Sequence, residues 1–318
     1  MISGISNLSI LTQVTTGLNK GQSTLADLTQ QLASGVKTND LTQYSAYESR
    51  TLVNSRNLQD KAESYIAAIG SIKPRLDLYE TSLGALEKLI NSTQSTITNT
   101  QNATAATEQG VPAQISSTID QVAFYLNQKL NDRFIFAGTR YNTKPIGDIK
   151  ALTNPPVETF PATSPTLPPY DTSAPGSNAQ AYTKDSVAID DSLSLAYGLP
   201  STDSAIQNLM QGMRYAYAAT QDASNYQTYM TQAQTYLKTA LDGVRSLRAQ
   251  VAGNQKILSD TQKSQQGTID LLQTQINKIR NADINEVSVK INAYNTQLQA
   301  SYAATSKLIN LSILNYIS

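Results

Sequence analysis

One seam constrains this chain more than any other feature. Ala62, Tyr65, Ile69, Ile72, Leu76, Tyr79, Leu83, Leu86, Ile90, Thr93 and Ile97 follow one another at alternating spacings of three and four. Five heptads in phase predict one long helix that buries a stripe against other helices. Pro74 lies off the seam, which continues in phase beyond it, so the proline is expected to kink this helix rather than end it. A second row takes every seventh residue, from Leu237 through Val244, Val251, Leu258, Gln265 and Leu272 to Ile279. A helix from about Ser224 to Ile279 would be about 80 Å long, too long for a compact domain.

Shorter helical patterns surround these two. Leu11, Val14, Leu18, Leu25, Leu28 and Leu32 form an N-terminal seam, with Gly21 filling one position and Ser34-Gly35 ending it as a C-cap. After Gly110-Val111-Pro112 a helix is expected to carry Ile115, Ile119, Val122, Leu126 and Leu130. Ser201 to Asp203 can cap a helix with Ile206, Leu209, Met213 and Tyr217 on one stripe. Asp283 and Glu286 give a D-x-x-E capping pattern before Ile284, Val287, Ile291, Tyr294, Leu298 and Leu308. Nine of the eleven prolines fall between Pro145 and Pro200, which excludes helix there and marks an insert between two helical halves. The expected fold is mainly α: an elongated rod of long packed helices, with paired N- and C-terminal coiled-coil helices and a small β-rich or irregular insert at the tip.

Composition narrows the chemistry. The 318 residues include no Cys, His or Trp, which removes thiol nucleophiles, disulfides, Cys/His zinc sites and imidazole bases. Lys plus Arg and Asp plus Glu each number 24, with no basic run to neutralise phosphates, so nucleic acid is not an expected partner. Uninterrupted apolar runs such as Val122 to Leu126 reach only five residues, against the roughly 20 of a spanning helix, so no membrane association is expected. No basic residue precedes Lys20 and no apolar h-region follows Met1, so the expectation is a cytosolic chain or one exported by a dedicated route.

Charge is unevenly placed. Residues 1–36 contain only Lys20 and Asp27, and residues 287–318 only Lys290 and Lys307. An exposed helix normally keeps solvating charges on its outer face, so these ends are expected to be covered by other subunits of a polymer, or else to pair as an ordinary two-helix coiled coil. Other features have plainer readings. Phe134-Ile135-Phe136-Ala137-Gly138 reads as a buried strand entering a turn at Gly138. Asp190-Asp191 is the only adjacent acidic pair, without the ligand spacing of a calcium loop. Asp120, Asp132, Glu158 and Asp171 have no fixed local arrangement that would pair them for glycoside hydrolysis. Many of the 17 tyrosines lie at seam or flank positions, where packing is the expected role. No catalytic, cofactor or metal site is expected.

Several segments carry a resemblance. Leu25 to Gly35 resembles the helix end "L...LSSG" of the flagellin family, and Leu298-Gln299-Ala300-Ser301-Tyr302 its C-terminal partner. Asn131 to Thr139 with Lys144-Pro145-Ile146, Val244 to Gly253, and Leu308 to Tyr316 are similar to segments of one branch, hook-associated protein 3, which joins hook to filament. Departures are Asn39-Asp40-Leu41-Thr42 in place of an Asp-Asp-Pro turn, and Gln30 or Gln31 in place of an arginine. The resemblance implies export through the flagellar type III channel and a place in the extracellular flagellum. It also implies packing against copies of itself, hook-associated protein 1 and flagellin, with an export chaperone or the export apparatus as a further partner.

With the seams it suggests a terminal assembly domain from residues 1–45 and 283–318. A helical rod would follow from 46–138 and 201–282, and an outward-facing insert from 139–200. Leu18, Leu25, Leu28 and Leu32 are expected to pair with Ile291, Tyr294, Leu298 and Leu308 and to bind neighbours. A flagellin that forms the filament itself, a coiled-coil adhesin or secretion-apparatus tip protein, and a carboxylate-dependent hydrolase carried by the insert are the alternatives.

Overall fold

The computed structural model describes residues 2–100, 110–150 and 183–317, with side chains described from Thr12 to Lys307 within those ranges. Six helices are present among the described residues: α1 (Ile2–Ser34), α2 (Ala46–Thr100), α3 (Val111–Leu126), α4 (Ser204–Gln221), α5 (Tyr226–Arg280) and α6 (Ile284–Ile317). The chain is mainly α, as its heptads require. Two short antiparallel hairpins complete it: β1 (Lys129–Leu130) with β2 (Arg133–Phe134), and β3 (Ser186–Ala188) with β4 (Ser194–Ala196). Contacts divide the chain into one unit of residues 1–60 with 268–318 and another of 61–267.

Local chemistry explains the boundaries. Gly35 adopts φ 69° and donates its N–H to the carbonyl of Gln31, the left-handed cap that ends α1. α2 opens on a reciprocal box: Ser45 Oγ accepts from the Glu48 N–H while Glu48 Oε2 accepts from the Ser45 N–H. Pro74 lies inside α2, which runs on unbroken to Thr100. Asp203 Oδ1 accepts from the Ala205 N–H and starts α4. Asp283 caps α6 through the N–H groups of Asn285 and Glu286, but Glu286 pairs with Lys290 instead of completing a box.

In the unit of residues 61–267 the core is the α2 seam. Every residue of it from Ala62 to Ile97 is buried except Tyr65, which is half-buried. It packs with Ile115, Ile119, Val122 and Leu126 of α3, Ile206, Leu209 and Met213 of α4, and Leu237, Val244, Val251 and Leu258 of α5. α2 and α5 run antiparallel, cross-linked by Arg248 to Glu80 and Glu87, by Arg245 to Glu87, and by Gln255 to Asp77. α4 lies close on α5, where a Cβ on Gly243 would stand 2.6 Å from that of Ala205.

Three expectations need correction. Leu130 belongs to β1, because Asn131 and Asp132, with φ 50° and 61°, form the tight turn of a hairpin directly after α3. The strand at Phe134 stops there, and Ile135, Phe136 and Ala137 are buried in turns that lead to Gly138 at φ 63°. Their backbone is held by side chains: Tyr79 and Arg75 both donate to the Ile135 carbonyl. Ile284 is exposed rather than on the α6 seam, since it lies in the first turn. Of the insert, residues 151–182, with Glu158 and Asp171, lie outside the described residues.

Candidate assembly interface

The terminal helices meet within the unit of residues 1–60 and 268–318. α1 packs along α6, and the contacts run antiparallel. At one end Val36 bridges Asn281, the Lys37 N–H donates to the Arg280 carbonyl and the Ala282 N–H to the Gly35 carbonyl. Further along, Leu298 lies against the backbone of α1 at Gly21, where a Cβ would approach Leu298 Cδ2 to 3.0 Å. Beside it Gln22 Nε2 donates to Tyr302 Oη at 2.5 Å.

Of the residues expected to pair, Leu28 and Leu298 are buried, 7% and 8% exposed, as is Val287. Leu18, Leu25, Ile291 and Tyr294 are half-buried, and Leu32 is 38% exposed. The Leu308 side chain lies outside the described residues. One partner helix therefore covers only part of the apolar stripe. Gln22, Leu25, Ala26, Thr29, Gln30 and Ala33 line an open groove along α1, and Val289 of α6 is 69% exposed.

The electrostatics of these helices are unusual for exposed surface. Lys20 and Asp27 are the charges of α1, and Lys290 of α6 spends its charge on Glu286, which raises the pKa of its ammonium. Hydroxyls turn inward to the helix itself. Thr15 and Thr16 donate to the Thr12 carbonyl, Thr24 to that of Lys20, Thr29 to that of Leu25 and Thr296 to that of Asn292. With their donors satisfied locally, these hydroxyls do not need a partner from outside the helix. The result is a nearly uncharged helix pair with apolar groups on its outside.

The groove, the Gln22–Tyr302 bond and the bridge at Val36 were not anticipated from sequence. The bridge joins two connectors without any periodic signal. The Ser45-x-x-Glu48 box at the start of α2 was likewise not read from the sequence; there Ser45 hydroxyl and backbone bonds hold the Glu48 carboxyl below the usual range. The acidic candidates are engaged structurally. Asp120 pairs with Lys150, Asp191 with Lys61, and Asp190 accepts from Gln265. Among the described residues no group of three or more acidic side chains is placed to hold a metal, and no helix is long and apolar enough to cross a membrane.

A mainly α chain with paired terminal helices is an architecture that known proteins share. Residues 234–317, which span most of α5 and all of α6, match the bacterial flagellin C-terminal helical region. The match covers about a quarter of the chain, and it is a likeness of that region to the flagellin family. The fold is that of a flagellar hook-associated protein structure from Vibrio parahaemolyticus, with TM-score 0.60 and 13% identity over 75% of this chain and 100% of that one. It is also similar to FlgL of Bacillus cereus, with TM-score 0.52 and 15% identity over 72% of this chain and 100% of that one. No curated protein matches the sequence.

Proposed function

We propose that the chain is a structural subunit of the bacterial flagellum, placed at the hook-filament junction and joining hook to flagellin filament by lateral and axial packing of copies. The observation that carries this reading is the α1–α6 pair, which covers Leu28, Val287 and Leu298 but leaves a charge-poor outer face with Leu32 and Val289 uncovered. Apolar helix surface without solvating charge gains most from burial against neighbours, at about 25 cal/mol per Å². The fold shared with hook-associated structures supports the junction position.

In this reading residues 1–45 and 283–318 form the assembly domain, 46–138 and 201–282 the helical rod, and 139–200 the outward insert. Copies of the chain, hook-associated protein 1 and flagellin are the neighbours, an export chaperone or the export apparatus handles the subunit, and the site of action is the extracellular flagellum. The role is mechanical, the transmission of torque, and not enzymatic.

The flagellin match over residues 234–317 favours a second reading, in which the chain builds the filament itself. Deleting the gene, imaging the cells by negative-stain electron microscopy and assaying flagellin in the medium separates the two. Hooks without filaments, with flagellin shed, are expected of the junction subunit. Shortened or altered filaments would make the chain one flagellin among several, and normal flagella would overturn both readings.

A further inference from the structure

We infer that the β3–β4 hairpin is a splint that stiffens α2 across its proline site. Pro74 has no amide hydrogen to give to the Gly70 carbonyl one turn back, and its ring crowds that carbonyl. Gly70 is itself exposed, with no atom within 4 Å of the position a Cβ would take. The turn from Gly70 to Pro74 thus lacks a ladder bond and has a residue without a stiffening side chain at its start, a combination that normally bends a helix. α2 continues as helix through this turn.

The hairpin grips α2 on both sides of this turn. At its tip Asp191 pairs with Lys61 Nζ at 2.5 Å and accepts from Tyr65 Oη at 2.6 Å. At its base Asp185 pairs with Arg75 Nη1 at 2.7 Å, and the Leu199 N–H donates to Tyr79 Oη at 3.2 Å. From Lys61 to Tyr79 the splint spans about 27 Å of helix. It holds α5 as well, through Asp190 to Gln265 at 2.8 Å and the Ala196 carbonyl to Asn254 at 3.3 Å. Ile189 and Leu195 of the hairpin share the core with Ile69, Ile72 and Leu76 of α2.

The two ends differ in kind. The base pair is almost wholly enclosed, its side chains 11% and 7% exposed, whereas those of the tip pair are 47% and 62% exposed. The base is the fixed end, and the tip is the end that can lift. With the tip docked, α2 is held on both sides of Pro74; with the tip free, the turn from Gly70 to Pro74 is the place where α2 yields.

Hydrogen exchange on the full chain tests this. The double variant Asp190→Ala/Asp191→Ala removes the tip contacts, and amides of residues 66–78 are expected to exchange about three- to tenfold faster, with 83–97 unchanged. In a Pro74→Ala background, where the ladder is closed, the same two substitutions are expected to have no local effect. Lys61→Gln, which approaches the contact from the helix side, is expected to give part of the acceleration, and far-UV circular dichroism checks that every variant stays folded. Unchanged exchange at 66–78 in the double variant, or equal acceleration with and without Pro74, would overturn the splint. Both readouts lie on α2 itself, so they hold whether or not the chain assembles at a hook.

Discussion

Tyr141 shows how single side chains tie the body together. Its hydroxyl donates to Asp185 Oδ1 at 2.5 Å. Burial, then the hydrogen bond and negative charge of Asp185, push its pKa from 10.0 up to about 12. A folded-state value above the unfolded one means that the contribution is complete below pH 10 and is lost as pH rises toward 12. Tyr141→Phe should therefore flatten the alkaline loss of stability in that window, measured by chemical denaturation, with the remaining slope shared by Tyr65, Tyr79 and Tyr197 and by Lys61, Lys150, Lys256 and Lys290, whose values are also raised.

Glycines of α5 give a paired test. A methyl at Gly243 meets Ala205 Cβ at 2.6 Å, whereas one at Gly253 meets nothing within 4 Å. Gly243→Ala is expected to cost about 1–3 kcal/mol by overpacking, and Gly253→Ala to gain about 0.5–1 kcal/mol, both read by thermal unfolding. Leu298→Asp would place a charge against the α1 backbone at Gly21 and is expected to cost several kcal/mol (about 3 or more) within the terminal pair. Gly21 and Leu298 were both legible as seam positions, because helical spacing marks which residues face a partner helix. That Leu298 meets the glycine was not, because spacing within one helix says nothing of its register against another.

Between elements, α2 and α5 are joined by charge as well as by their seams. Glu87 accepts from Arg245 and Arg248, and these bonds, in that order, hold its carboxyl below the usual range. A depressed carboxylate contributes its stability above the unfolded value of 4.5 and loses it as pH falls through the folded one. Arg248→Ala should destabilise the helix pair by about 1 kcal/mol near neutral pH, by leaving Glu80 and Glu87 without their shared guanidinium. The difference from wild type should shrink on acidification below pH 4.5. Long helices were legible in the sequence because dozens of residues vote for one period. The β1–β2 hairpin was not, because two-residue strands carry no periodicity and only the Asn131-Asp132 turn marks them. Likewise, nothing local in Asp185 or Asp191 foretold that each would meet α2 more than a hundred residues away in the chain.

At the scale of the whole molecule, the uneven charge was the most informative property of the sequence. Residues 1–36 and 287–318 carry four charged side chains between them, and the structure places α1 against α6 with Leu32 and Val289 facing outward. The paired helices follow from the seams and the uncovered outer face from the charge pattern. The neighbours on that face belong to the proposal, since sequence periodicity specifies a buried stripe and not its partner. The most direct measurement is to return the gene to a deletion strain with Leu32→Lys and Val289→Lys, which charge the outside of the pair without touching Leu28, Val287 or Leu298, and to image the cells. Subunits that are exported and folded but leave hooks bare of filament are the result expected of an assembly face; filaments of normal number and length would contradict it.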